Sequence, residues 1–94
     1  MVLGLVGCTP AIPATRVAGW RCADGTTLGA RFTVYLEDPG SVTLRFADGT
    51  LVTLPEVTAA DGARYAAAET EFWTKGGSAT LTRAGRRTVC DAAD

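Results

Sequence analysis

Apolar and polar residues alternate with a period of two along most of this chain. Leu28, Ala30, Phe32, Val34 and Leu36 interleave with Gly29, Arg31, Thr33 and Tyr35, which predicts a strand with one buried face. Val42, Leu44 and Phe46 alternate with Thr43 and Arg45 in the same way. Asp48-Gly49 then gives a strong hairpin signal, and a return strand runs from Leu51 to Leu54, ended by Pro55. Upstream, Val17 to Cys22 reads as the first strand, closed by the Ala23-Asp24-Gly25 turn. Downstream, a short strand over Glu56 to Ala60 precedes strands over Arg64 to Ala68, Glu71 to Thr74, Ser78 to Arg83 and Arg86 to Cys90. Turns at Asp61-Gly62, Lys75-Gly76-Gly77 and Ala84-Gly85 separate these last segments. No stretch carries a convincing helical period, and Ala66-Ala67-Ala68 is too short to nucleate a helix alone. Short strands with a turn every 8–12 residues or so predict a sandwich or barrel, and a sheet this small gains from closing, because closure removes exposed edges.

Composition narrows the chemistry. Ninety-four residues form one small domain, and 47% hydrophobic content is enough for a compact core. The net charge of −1 supplies no basic field for nucleic acid. The chain has no histidine, which excludes Ser-His-Asp and Cys-His catalysis and the usual metal ligand. Cys8, Cys22 and Cys90 lack C-x-x-C spacing, so no zinc site is expected. Carboxylates remain, but they are scattered through turns such as Glu37-Asp38-Pro39-Gly40 and Ala47-Asp48-Gly49, and nothing suggests a catalytic pair. The expectation is a binding protein without cofactor or metal.

The cysteines carry structural information. Cys22 ends the first expected strand and Cys90 the last, so a bridge between them would tie the ends of a barrel together. Closing a loop of that length is worth about 4 kcal/mol in the chain-entropy model, and it implies an oxidising compartment. Cys8 falls at the end of Leu5-Val6-Gly7-Cys8, which resembles a bacterial lipobox whose cysteine is acylated. The apolar run before it is shorter than the roughly 15–30 residues of a signal peptide and has no basic start, so the expectation is either a true start further upstream or a trimmed segment. Thr9 to Thr15 contains Pro10 and Pro13 and reads as a semi-rigid tether. The expected organisation is residues 1–8 as a truncated lipoprotein signal, 9–15 as tether and 16–94 as the barrel domain. Thr9 after the cysteine, in place of aspartate, is compatible with outer-membrane sorting.

One stretch stands out. Asp61 to Gly77 holds two turn signals, three of the seven aromatics (Tyr65, Phe72 and Trp73) and Lys75, the only lysine beside eight arginines. Trp20-Arg21-Cys22, Asp61-Gly62-Ala63-Arg64-Tyr65, Phe72-Trp73-Thr74-Lys75-Gly76 and Val89-Cys90 together resemble the MliC family, membrane-bound or periplasmic inhibitors of c-type lysozyme. The resemblance spans about Gly19 to Cys90.

It implies an all-β fold, a small eight-stranded antiparallel barrel closed by one disulfide. It also implies a c-type lysozyme as partner, an envelope location facing the periplasm, and a membrane anchor on Cys8. Two loops are then expected to enter the lysozyme cleft, and the implied contact set is Lys75, Asp61, Gly62, Tyr65 and Trp73. Lys75 matches the family's inhibitory lysine. An ammonium there would meet the two acidic side chains with which such an enzyme works. Asp61 stands where the family usually has serine. An ionised aspartate only accepts hydrogen bonds, so it either accepts from the cleft rim, pairs with Lys75 or merely shapes the turn. Read from the residues alone, Tyr65 and Trp73 are packing side chains that fix the two loops, and Arg64 is a partner for Glu69 or Glu71. The departure at Asp61 also motivates a second function, an envelope module that binds a cell-wall fragment or another muramidase.

Overall fold

The computed structural model describes residues 14–34 and 40–93. Cys8 and the expected signal and tether residues up to 13 lie outside that range, as do Leu36 and the Glu37-Asp38-Pro39 turn. Eight strands follow in chain order: β1 Ala14–Cys22, β2 Thr27–Val34, β3 Ser41–Phe46, β4 Leu51–Val57, β5 Ala63–Ala67, β6 Thr70–Lys75, β7 Ser78–Arg83 and β8 Arg86–Ala93. Each pairs antiparallel with the next, and β8 pairs back with β1, so the sheet is a closed barrel in simple up-and-down order. Closure leaves no open sheet edge.

The period of two fills the interior. Leu28, Ala30, Val42, Leu44, Phe46, Leu54, Phe72, Ala79 and Leu81 point inward and are buried, while Arg31, Arg45 and Thr53 of the alternate positions are exposed. Each large side chain so buried contributes about 1.5–3 kcal/mol. Aromatic rings fill part of the core: Trp20 meets Phe72 edge-on at 5.4 Å between centroids, and Phe32 lies 5.7 Å from Tyr65. The alternation weakens towards the end of β2, where Phe32 is only partly buried and Val34 is 60% exposed.

Several boundaries differ from those read in the sequence. No separate strand runs from Glu56 to Ala60. Instead β4 continues through Pro55 to Val57. The physical reason is the hydrogen-bond phase. The Glu56 amide donates to the Gly40 carbonyl at 2.9 Å, so Pro55, opposite Ser41, falls at a position where β3 asks for no N–H. On its other side the pairing with β5 begins only at Glu56. β1 begins at Ala14, two residues inside the expected tether, because Ala14 and Thr15 pair with Val34 and Thr33. β8 runs beyond Cys90 to Ala93, which lies opposite Gly19.

Cys22 and Cys90 are direct cross-strand partners on β1 and β8, and they form the disulfide. The bridge therefore locks the seam at which the barrel closes, joining the end of β1 to a position within β8.

Candidate functional site

The β4–β5 connection and the β6–β7 turn meet at one end of the barrel. β5 and β6 form a hairpin in which Ala63 pairs with Thr74 and Arg64 with Trp73. That register carries Asp61 and Gly62, just before β5, alongside Lys75 at the end of β6. Alternation on β6 sends Phe72 inward, with no exposure, and leaves its neighbours Trp73 and Thr74 half-buried.

Four contacts fix the loop. The Trp73 indole Nε1 donates to the Asp61 carbonyl at 2.9 Å. The Thr74 hydroxyl donates to the Ala63 carbonyl at 3.3 Å. The Lys75 ammonium lies 5.1 Å from the centre of the Trp73 ring and 3.5 Å from the Asp61 carboxylate. Both partners of that ion pair are exposed, 59% for Lys75 and 66% for Asp61, so water weakens it and the pair adds little to stability. The indole bond from Trp73 reaches the Asp61 backbone carbonyl, so it positions the main chain there whatever the side chain at 61 carries.

Gly62 is required for a steric reason. Its φ is +67°, and a Cβ there would stand 2.2 Å from the Thr74 carbonyl oxygen and 3.0 Å from Lys75 Cγ. Only glycine lets the two loops come this close. Gly76, in the turn that follows Lys75, also has a positive φ of +60°, but a Cβ there would meet nothing within 4 Å.

Tyr65 is not on this surface. It is 7% exposed and packs on Phe32 inside the barrel. Burial pushes its hydroxyl above the ordinary tyrosine range; Glu56 adds to that shift, and Arg16 opposes it. Of the expected contact set, Lys75, Asp61, Gly62 and Trp73 come together, with Lys75 and Asp61 outermost and Trp73 beneath them, whereas Tyr65 anchors β5 from within. Arg64 takes Glu71 as its ion-pair partner, and its guanidinium lies 5.5 Å from the Trp73 ring. Trp73 thus has a cation from each of two neighbouring positions. The cross-strand pairing of Arg64 with Trp73 was the available signal for this, once the hairpin register is known.

The chemistry open to the cluster is recognition. It offers a projecting ammonium, an adjacent carboxylate and a braced loop. Among the described residues no group of His, Cys, Asp or Glu is placed to hold a metal ion.

Comparison with known proteins identifies the family. The family described as membrane-bound lysozyme-inhibitor of c-type lysozyme, MliC, matches residues 20–89. The chain belongs to the MliC family. The MliC relative from Yersinia enterocolitica, a membrane-bound lysozyme inhibitor of C-type lysozyme, is 33% identical over 82 residues, covering 87% of this chain and 66% of that protein. A protein of the same description from Cupriavidus necator is 37% identical over 70 residues, covering 73% of this chain and 54% of its own length. The chain thus spans about half to two thirds of these MliC relatives. The crystal structure of Pseudomonas aeruginosa MliC in complex with hen egg white lysozyme superposes with a TM-score of 0.76 at 27% identity, covering 99% of this chain and 97% of that one.

Proposed function

We propose that this protein inhibits a c-type lysozyme by placing the Lys75 ammonium against the catalytic carboxylates, with Asp61 at the edge of the same contact. The observation that carries the reading is the exposed Lys75 on a loop braced by Trp73 and Gly62, in a chain of this family. Bracing matters because a loop already held in its bound shape loses less entropy on association. The ammonium supplies three donors and a charge opposite to that of the site it enters. The protein acts as a binding partner and performs no chemistry of its own. Cys8 is its acylation site, and the domain is held at the periplasmic face of the envelope, at the outer membrane.

The test is a titration into a c-type lysozyme assay. Lys75→Ala should raise the inhibition constant at least about thirtyfold, corresponding to about 2 kcal/mol, the lower range for truncating one partner of a buried charge contact. Lys75→Arg should restore only part of the loss, because the planar guanidinium is wider than an ammonium. Unchanged inhibition by Lys75→Ala would refute the mechanism.

The proximity of Asp61 to Lys75 favours one alternative. With a carboxylate beside its lysine, the same loop would suit a cell-wall fragment or another muramidase. Failure of the parent to inhibit, together with inhibition by Asp61→Ser, would select it.

A further inference from the structure

The outer face of β1 to β4 carries a second surface with a different character. Val17, on β1, lies opposite Arg31 on β2, which lies opposite Thr43 on β3. In the adjoining row Gly29 lies opposite Arg45, which lies opposite Leu51 on β4. Val17 and Leu51 are 66% and 63% exposed, and the guanidinium-bearing residues Arg31 and Arg45 between them are exposed too. Gly29 has no side chain and nothing within 4 Å of where a Cβ would be, so the surface is open between the arginines.

Charge is segregated on this side of the barrel. Among the described residues, β1 to β4 carry no carboxylate before Glu56, near the end of β4. Asp24 and Asp48 occupy the β1–β2 and β3–β4 turns, where each accepts a backbone N–H of its own turn, from Thr26 and Thr50 respectively, at 2.9 Å. Neither forms an ion pair with Arg31 or Arg45 among the described residues. Glu37 and Asp38, between β2 and β3, lie outside the described range. Two cations with no ion-pair partner among the described residues, flanked by two exposed aliphatic side chains, match an anionic lipid surface: the guanidinium groups meet headgroup phosphates and the aliphatic groups enter the interface.

We propose that this face rests on an anionic phospholipid membrane. Two further observations favour that occupant. The chain enters the described barrel on β1, the strand that bears Val17, and the family is described as membrane-bound. In the closed ring, β2 and β3 also lie four strands from β6 and β7. A barrel lying on β1 to β4 therefore keeps Lys75, on the β6–β7 side of the site, across the ring from the bilayer, with Asp61 of the β4–β5 connection between them. A lipid anchor would limit the distance from the membrane, and this face would set the orientation.

The experiment is vesicle flotation of the full chain carrying Cys8→Ser, so that no acyl group contributes. Vesicles of phosphatidylethanolamine with phosphatidylglycerol are compared with vesicles of phosphatidylcholine alone. The parent should float with the anionic vesicles and not with the neutral ones, and salt should release it. Arg31→Gln with Arg45→Gln should lower partitioning about thirtyfold, the product of roughly fivefold for each basic residue at the surface. Val17→Ser with Leu51→Ser should lower it about tenfold through the lost apolar burial. Arg86→Gln with Arg87→Gln removes the same charge from the β7–β8 hairpin and should change it by about twofold or less. The six side chains substituted on the barrel are exposed, and circular dichroism verifies the fold. The proposal is overturned if the parent does not float, or if both arginine pairs have equal effects. It is also overturned if Arg31→Gln with Arg45→Gln abolishes lysozyme inhibition in vesicle-free solution, which would make the face a protein contact.

Discussion

Gly62→Ala is the sharpest test of how the site is built, because its two costs can be separated. The first is conformational. Gly62 has a φ of +67°, in the left-handed region, where an L-residue costs about 1 kcal/mol. This chain already accepts alanine in that region, at Ala68 with φ 53° and Ala84 with φ 49°, so the conformational cost alone is tolerable. The second cost is steric. A methyl group at Gly62 would meet the Thr74 carbonyl oxygen at 2.2 Å, so backbone must move by about 1 Å, and overpacking of this kind costs about 1–3 kcal/mol. Gly76→Ala is the matched control, since φ there is +60° and a Cβ meets nothing within 4 Å. Gly76→Ala should therefore lower the Tm by roughly 4–8 °C, the shift that about 1 kcal/mol produces in a domain of this size. Gly62→Ala should lower it about two to four times as far, or else relieve the clash by separating the two loops. Urea denaturation and lysozyme inhibition, measured on the same preparations, distinguish these responses. Separation of the loops preserves stability but removes inhibition, because Lys75 then loses its brace. If Gly62→Ala matches Gly76→Ala in both stability and inhibition, the close approach of the loops has no role.

Two other predictions concern the seam and the charge beside Lys75. Cys22→Ala with Cys90→Ala opens a loop of 68 residues and should cost about 4 kcal/mol in urea denaturation; a loss below about 1 kcal/mol would show that the barrel needs no lock. In the proposed mechanism Asp61→Ser removes a like charge near the lysozyme carboxylates and frees Lys75, so it should tighten inhibition by up to about fivefold, the scale of an exposed ion pair, with the gain shrinking at high salt. Weaker inhibition by Asp61→Ser would mean that the carboxylate accepts a hydrogen bond from the enzyme.

Fold class was legible because the hydrophobic period of two persists through residues such as Leu28-Ala30-Phe32 and Val42-Leu44-Phe46, and because each run is followed by turn chemistry. The disulfide followed from the positions of two cysteines in the strand order. Strand boundaries were less legible where a residue's meaning depends on hydrogen-bond phase. Pro55 reads as a terminator, yet it is harmless once its missing N–H faces away from β3, and that phase is a property of the paired strands. At the site, Lys75 and Asp61 were legible as exceptions in composition and motif. The support beneath them was legible only in part, as the reading of Tyr65 and Trp73 as packing side chains that fix the two loops. Gly62 reads as an ordinary turn glycine, and only the distance to Thr74 makes it necessary. Tyr65 and Trp73 are both aromatics near the loops, but their positions on β5 and β6 send one into the core and leave the other under Lys75.

These placements follow from a single registration. In a β-hairpin, shifting the pairing by one residue would exchange inward and outward sides. Phe72 and Tyr65 are directly opposite each other and both buried, so core burial fixes which side of the hairpin faces inward, and the two-residue Ala68-Glu69 turn fixes the β5–β6 register. Once it is fixed, Arg64 must face Trp73, Ala63 must face Thr74, and the residues before β5 must reach the end of β6. The exposed loop is therefore specified largely from beneath, by residues of the core and by the turn at the far end of the hairpin. The exposed Lys75–Asp61 pair cannot supply that precision, since an ion pair so solvated contributes little. The geometry of the candidate site is consequently set by Phe72, Tyr65, Gly62 and the Trp73 bond to the Asp61 carbonyl, while its charge is left to Lys75 and Asp61. That division leaves the outer residues free to vary without loss of fold, and it locates any change of target at Asp61 and Lys75 rather than in the barrel beneath them.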